Sequence, residues 1–197
     1  MIKKAAIDIF GNAWPMIVIF TIILSSIRIA YLIIKKEKFV LYKELSYLLF
    51  AIYLLSLFYI VTFQDDNYGY SNLVPFKEIF RYNFGSKLFI KNIVGNVLLY
   101  MPFGLFVSAY LDNKKIFPIF ILALISSVSI EFVQLAIGRV FDVDDIILNI
   151  IGALLGYFIY RLFDRFEDIL PDWLKKEWLI DILVIVLLGG VIWILIL

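Results

Sequence analysis

The sequence predicts an all-α fold, a polytopic transmembrane helix bundle with about six spans. Hydrophobic residues make up 63% of the 197 residues, charged residues only 18%, and the mean hydropathy is +0.98. A water-soluble domain of this size cannot hide so much apolar surface. The apolar runs are also about 20 residues long, the length that a helix needs to cross a hydrocarbon core of about 30 Å.

These runs predict spans at residues 13–34, 44–63, 93–111, 116–137, 144–163 and 178–197. The first run follows Lys3 and Lys4, as in a secretory signal, but it is too long and lacks a small-residue cleavage site, so we expect a retained anchor. Arg28 is expected to snorkel from this helix to the nearby interface. The predicted organisation is an N-terminal anchor helix with a cytoplasmic loop (1–43), a core of four transmembrane helices (44–163), and a cytoplasmic linker with a C-terminal transmembrane helix (164–197).

The long loop between the second and third spans has an amphipathic second half. Apolar residues recur there at helical spacing, at Phe76, Ile79, Phe80, Phe84 and Leu88, with charged residues between them. This pattern predicts a helix over 76–91 that either lies along the membrane interface or dips in as a re-entrant segment.

Polar or small residues form a stripe at helical spacing on each of the next three spans. The third span has Asn92, Asn96 and Tyr100, followed by Pro102 and Gly104, where we expect a break or kink; the fourth has Ala123, Ser127, Glu131, Gln134 and Gly138; the fifth has Asp145, Asn149, Gly152, Gly156 and Tyr160. Gly152 and Gly156 form a GxxxG step, which is a helix-packing signal.

The polar ends of these three spans lie at one membrane face, because successive spans alternate in direction. Polar groups at bilayer depth are costly, so such a concentration indicates a functional site. The predicted pocket is lined by Asn72, Asn92, Asn96, Tyr100, Glu131, Gln134, Arg139, Asp142, Asp145 and Asn149. Basic residues number ten in one set of alternating loops and seven in the other. Because the basic-rich side is cytoplasmic, we expect both termini and the polar face to lie outside.

Histidine and cysteine are both absent. Their absence excludes Ser-His-Asp and Cys-His nucleophile systems, Cys/His zinc or haem sites, and disulfides. A net charge of +1, without any Lys/Arg run, argues against nucleic-acid binding. We expect no cofactor and no metal, since the loop with Asp142, Asp144 and Asp145 lacks the glycine and spacing of a calcium-binding turn.

The polar residues also have structural interpretations. At least one aspartate of the 142–145 group is expected to cap the fifth helix, where carboxylates bind free backbone N–H groups. Glu131 lies about two turns inside the membrane boundary and needs a partner there. A purely structural Glu131–Arg139 lock and a ligand pocket are both open at this point.

Several short motifs follow one another over roughly residues 44–163: Asn72-Leu-Val-Pro75-Phe76, Asn92-Ile-Val-Gly-Asn96, Met101-Pro102-Phe103-Gly104, Ser129-Ile-Glu131-Phe-Val-Gln134 with Arg139, and Asp142, Asp144, Asp145, Asn149 and Gly152. Taken in this order, they resemble the VanZ-like family of membrane proteins. The resemblance implies a multi-pass protein of the bacterial cell membrane. The founding member of that family is associated with low-level teicoplanin resistance, and the family supplies no established catalytic residues.

These observations lead to one main functional hypothesis and two alternatives. The main hypothesis is that the protein binds or remodels an envelope lipid or a lipid-linked cell-wall precursor at the outer leaflet, which affects a glycopeptide antibiotic indirectly. One alternative is a carboxylate-based enzyme acting on a polyprenyl-linked or lipid substrate. The other is a small transporter, which the gathering of all polar stripes at one face disfavours.

Overall fold

The computed structural model describes residue 11 and residues 14–63, 71–111, 115–169 and 181–182. In these ranges it contains five long helices: α1 (Trp14–Lys35), α2 (Leu41–Phe63), α3 (Lys87–Leu111), α4 (Ile116–Ala136) and α5 (Val143–Ile169). Each is long and apolar enough to cross a membrane. The all-α transmembrane prediction is confirmed. The sixth predicted span, 178–197, lies outside the described residues except for 181–182.

The chain divides into two compact units, Met1–Tyr59 with Phe166–Leu197, and Ile60–Arg165. In the first unit, α1 reverses into α2 through a turn at Lys36, whose φ of 54° is left-handed. The Glu37 N–H then donates to the Leu32 carbonyl at 3.1 Å. This bond satisfies a carbonyl that the helix end leaves without a partner, so α1 stops here and α2 begins at Leu41.

Arg28 joins the two helices of this hairpin. Its Nε and Nη2 donate to the two carboxylate oxygens of Glu44 at 2.8 and 3.0 Å. The guanidinium also lies over the rings of Tyr31 and Tyr47, 5.2 and 5.1 Å from their centroids. The sequence predicts only that Arg28 snorkels to the interface, and the structure adds a bidentate carboxylate partner for it within the hairpin.

Asp181 belongs to the same unit and binds the beginning of α2. Its Oδ1 accepts a hydrogen bond from the Tyr42 backbone N–H at 2.7 Å. The first N–H groups of a helix have no intrahelical acceptor and carry the positive end of the dipole, so a carboxylate stabilises them.

In the second unit, α3 and α5 contact each other backbone to backbone at three glycines. A Cβ placed on Gly104 would lie 1.8 Å from the Ala153 carbonyl oxygen, and one on Gly152 would lie 2.3 Å from that of Val97. A Cβ on Gly156 would lie 2.0 Å from the Met101 carbonyl oxygen. The GxxxG step at 152–156 therefore does allow close helix packing, as predicted.

Helix α3 differs from its prediction in two ways. It begins at Lys87 rather than at residue 93, and it has a π-helical turn over Ile90–Val94. It also remains α-helical from Gly95 to Leu111 through Pro102, so the predicted break is absent. Gly104 serves instead as the contact with α5.

The helical part of the 76–91 segment is shorter than predicted. Ahead of α3 it consists of turns and a 3₁₀ helix at Ile79–Arg81. Gly85, with φ of 77°, ends this stretch, and the Ser86 hydroxyl then caps α3 by accepting from the Phe89 N–H at 3.1 Å. The apolar residues do recur at helical spacing. However, Gly85 and the Ser86 cap divide the segment into a 3₁₀ helix and the beginning of α3.

The predicted stripes of α4 and α5 do face inward. On α4 the buried residues include Ala123, Ser127, Glu131 and Gln134. On α5, Asn149, Gly152 and Gly156 are buried. Gly138 lies beyond the end of α4, exposed, in a left-handed turn with φ of 86°.

Candidate functional site

The loop from α4 to α5 folds back onto α4 and places a carboxylate against the backbone. The Asp142 N–H donates to Glu131 Oε2 at 2.8 Å, and Glu131 is only 1% exposed. With Asp144 and Asp145 on the first turn of α5, these residues form what we call the carboxylate cluster: Glu131, Asp142, Asp144 and Asp145. Asp142 and Asp145 lie close enough to Glu131 for their charges to interact.

Asp142 caps α5. Its Oδ1 accepts from the Asp144 N–H at 2.8 Å and from Asn72 Nδ2 at 2.9 Å. The capping interpretation is thus confirmed for Asp142. Burial raises the pKa of Asp142 above its ordinary value, while the hydrogen bonds from Asn72 and the Asp144 N–H act in the opposite direction.

Asn72 ties the long loop to the same place. Its N–H donates to the Phe141 carbonyl at 2.8 Å, and its own carbonyl accepts from the Val143 N–H at 3.0 Å. The two stretches thereby form a short parallel bridge at Asn72 and Asp142. Asn72, predicted as a site residue, therefore positions the loop beside the carboxylate cluster.

Asp144 is the residue that sequence reasoning missed as part of the site. It is 1% exposed, and one oxygen accepts from the Phe76 N–H. The other accepts from the N–H groups of Glu78 and Ile79 at 2.7 and 3.3 Å, and from Asn72 Nδ2 at 3.4 Å. The loop thus wraps its amides around one carboxylate. The three aspartates within four residues were a signal in the sequence, but the donors that bind Asp144 lie 65 or more residues away along the chain.

Three transmembrane helices meet at the carboxylate cluster. Asn96 of α3 donates from Nδ2 to Asp145 Oδ1 of α5. Glu131 of α4 lies at the same depth as this bond, one helical turn from Ser127. At this level Glu131 Oε2 accepts from the Asp142 N–H, and Asp145 Oδ1 accepts from Asn96.

One helical turn deeper lies a second polar level. Asn149 Nδ2 donates to Ser127 Oγ at 2.9 Å, and Asn149 Oδ1 is buried with no partner among the described residues, in a residue only 6% exposed. Tyr100 is fully buried and its hydroxyl is hydrogen-bonded to Ser126. Below this level Gly152 contacts the α3 backbone. The polar region is thus closed at depth by packed helices.

Gln134 and Arg139 have a structural role. Gln134 Nε2 donates to the Val61 carbonyl at 3.1 Å, and Arg139 Nη1 donates to the same oxygen. Val61 lies in the last turn of α2, where carbonyls lack intrahelical donors and a cation suits the dipole. The predicted Glu131–Arg139 lock is wrong, because no ion pair joins them in the part of the chain that the structure describes and each has another partner.

Asn92 is the predicted site residue that the structure leaves outside this network. It lies in the π-helical turn, and its side chain forms no hydrogen bond with the other described residues. A π turn takes more residues than an α turn, so Asn92 no longer lines up with Asn96 four positions later.

Over the described ranges, no three acidic side chains are arranged to hold a metal ion.

The comparisons with known proteins agree with the resemblance seen in the motifs. The family model described as VanZ/LLP1 matches residues 45–164, a range that includes the whole carboxylate cluster. Protein VanZ of Enterococcus faecium is 30% identical over 134 residues, which cover 62% of this chain and 78% of the relative. No solved structure matches. The chain therefore belongs to the VanZ/LLP1 family, as a member with several membrane-spanning helices.

Proposed function

We propose that the protein binds an envelope lipid or a lipid-linked cell-wall precursor at the outer leaflet of the bacterial cell membrane, and thereby contributes to low-level resistance to teicoplanin-type glycopeptides. The observation that carries the proposal is the meeting of Asn96, Glu131 and Asp145, each from a different span, at one membrane face. Placing polar groups at bilayer depth costs free energy, so a cluster of them in a membrane protein indicates a ligand site.

The chemistry of the site favours a headgroup that donates hydrogen bonds. Asn149 Oδ1 is a buried acceptor without a donor among the described residues, and Glu131 and Asp145 place carboxylate oxygens at the next level of the same site. The positive charge of Arg139 lies close enough to Glu131 to interact with it, but Arg139 Nη1 already donates a hydrogen bond to the Val61 carbonyl. Hydroxyl or amine groups of a sugar or peptide therefore fit the site better than a bare phosphate, which the carboxylates would repel.

The outward orientation follows from the distribution of basic residues and is directly testable. The chain has no native cysteine, so single cysteines can replace exposed Asn83, before α3, and exposed Lys38, between α1 and α2. In intact cells a membrane-impermeant maleimide is expected to label position 83 but not position 38. The reverse pattern would place the carboxylate cluster on the cytoplasmic side.

The proposed contribution to teicoplanin resistance rests on membership of the VanZ/LLP1 family. The substitution Glu131→Gln tests it. The amide oxygen of glutamine can still accept from the Asp142 N–H, so the substitution removes the charge while keeping shape and hydrogen bond. We expect the teicoplanin inhibitory concentration to fall to that of cells with an empty vector, with expression and thermal stability unchanged.

The matched control is Glu37→Gln, an exposed glutamate in the first unit, which should keep full resistance. Full resistance in Glu131→Gln would show that the Glu131 charge serves no function.

A carboxylate enzyme is the second candidate, because Glu131 and Asp145 are neighbouring carboxylates on different helices, each held by a hydrogen bond. One could act as general acid and the other as general base on a polyprenyl-linked or lipid substrate. Mass spectrometry after incubation of purified protein with a lipid-linked precursor distinguishes the two. A new product that is absent with Glu131→Gln supports the enzyme, and unchanged precursor supports the binding protein.

A further inference from the structure

The segment before α3, together with the first two residues of α3, exposes large apolar side chains that the described residues do not cover. Phe80 is 82% exposed and Phe84 is 92% exposed, and Leu73, Val74 and Leu88 are exposed as well. We call residues 73–88 the interfacial segment. Because α2 and α3 are consecutive spans, the end of one and the start of the other lie at the same membrane face. The segment is therefore tethered at both sides to the bilayer surface.

The backbone of the interfacial segment is fixed from the protein side. Asp144 binds its N–H groups at Phe76, Glu78 and Ile79. Phe76 has a φ of 67°, a left-handed conformation that is unfavourable for a residue with a Cβ. The bond to a buried carboxylate compensates this cost. The segment is thus held in a defined conformation and its rings stay exposed.

Charged side chains lie next to the exposed rings. Lys77 and Lys87 are exposed, and Arg81 is partly neutralised by Glu78 at 3.1 Å. Aromatic rings flanked by basic residues are typical of a segment lying at the boundary between headgroups and acyl chains. Insertion into the bilayer removes the apolar surface of the two phenylalanine rings from water, which is favourable.

We propose that the interfacial segment inserts Phe80 and Phe84 into the headgroup–acyl boundary of the bilayer, with Lys77 and Lys87 contacting anionic lipid headgroups. The partner is the lipid surface and not a second protein, because the exposed cations complement anionic headgroups and both ends of the segment already lie at that surface. This contact goes beyond the proposed function and does not depend on what the carboxylate cluster binds. Asp144 connects the two by holding the segment beside the cluster.

Spin labelling of the cysteine-free chain tests the insertion. A single label at Phe84, in vesicles of phosphatidylglycerol and phosphatidylcholine, is compared with one at Ile125, 58% exposed in the middle of span α4, and one at Lys38 in the α1–α2 loop. We expect the ratio of oxygen to nickel-complex accessibility at position 84 to exceed that at 38 and approach that at 125. A ratio equal to that at 38 would overturn insertion. An immobilised label shielded from both reagents would indicate a protein contact and also overturn it.

The lipid charge is tested by the same label in vesicles of phosphatidylcholine alone. We expect the accessibility ratio at position 84 to drop when the anionic lipid is left out. The double variant Lys77→Gln, Lys87→Gln should lose this dependence on lipid charge. Equal ratios in both vesicle types with the original lysines would overturn the assignment to anionic headgroups.

Discussion

Replacing Gly152 by alanine is expected to lower the thermal stability of the detergent-purified protein sharply. The added Cβ would lie 2.3 Å from the Val97 carbonyl oxygen and 3.1 Å from the Tyr100 Cβ. The first of these contacts is with backbone, so α3 and α5 must separate. Overpacking of this kind costs about 1–3 kcal/mol, and the shift also disturbs the Asn96–Asp145 bond between the same two helices.

Gly95→Ala is the matched control for this substitution. Gly95 is also helical, with φ of −59°, and a Cβ there would meet only the Ile90 carbonyl oxygen at 3.6 Å, an ordinary contact. Alanine is favoured over glycine inside a helix by about 1 kcal/mol, so we expect no loss of stability at this position. Equal melting temperatures for the two variants would contradict the close approach of α3 to α5.

Asp144→Asn is expected to destabilise the protein on the order of 3 kcal/mol, since hydrogen bonds to a charged group contribute about 1.5–3 kcal/mol each. The buried carboxylate accepts backbone bonds from Phe76, Glu78 and Ile79, and an asparagine has only one oxygen for these donors. The NH₂ group of the asparagine would face backbone N–H groups, from which it cannot accept a hydrogen bond. Thermal unfolding of the purified protein measures the loss.

Asp164→Asn makes the same chemical change in a different setting. Asp164 pairs with Arg161 one turn away on α5, and both side chains are partly exposed. Such pairs contribute about 0–1 kcal/mol, so the expected shift in melting temperature is small. If Asp144→Asn shifts the melting temperature no more than Asp164→Asn does, Asp144 does not organise the loop.

Periodicity in the sequence was sufficient to predict the helices and the faces they bury. Hydropathy places the spans, and the stripe through Ser127 and Glu131 turns inward as expected. These features could be predicted because they depend on spacing within one helix. The same holds for Gly152 and Gly156, whose spacing signals close packing on any partner.

The partners of individual polar groups could not be predicted, because they lie far apart along the chain. A Glu131–Arg139 lock was one of the open alternatives, yet Arg139 donates to Val61, 78 residues earlier. For Asp144 the sequence suggests a cap or, less well, a metal ligand, but its donors belong to the loop before α3. The predicted 76–91 helix is also interrupted in that loop. Backbone N–H groups of the loop bind the Asp144 carboxylate, and Gly85 adopts a left-handed conformation.

Native mass spectrometry of the purified protein with a lipid-linked cell-wall precursor tests most directly whether Asn96, Glu131 and Asp145 form a headgroup site. We expect the unchanged protein to retain the precursor and Glu131→Gln to lose it, while Glu37→Gln retains it. Equal retention by Glu131→Gln, or no retention by the unchanged protein, would contradict the proposed site.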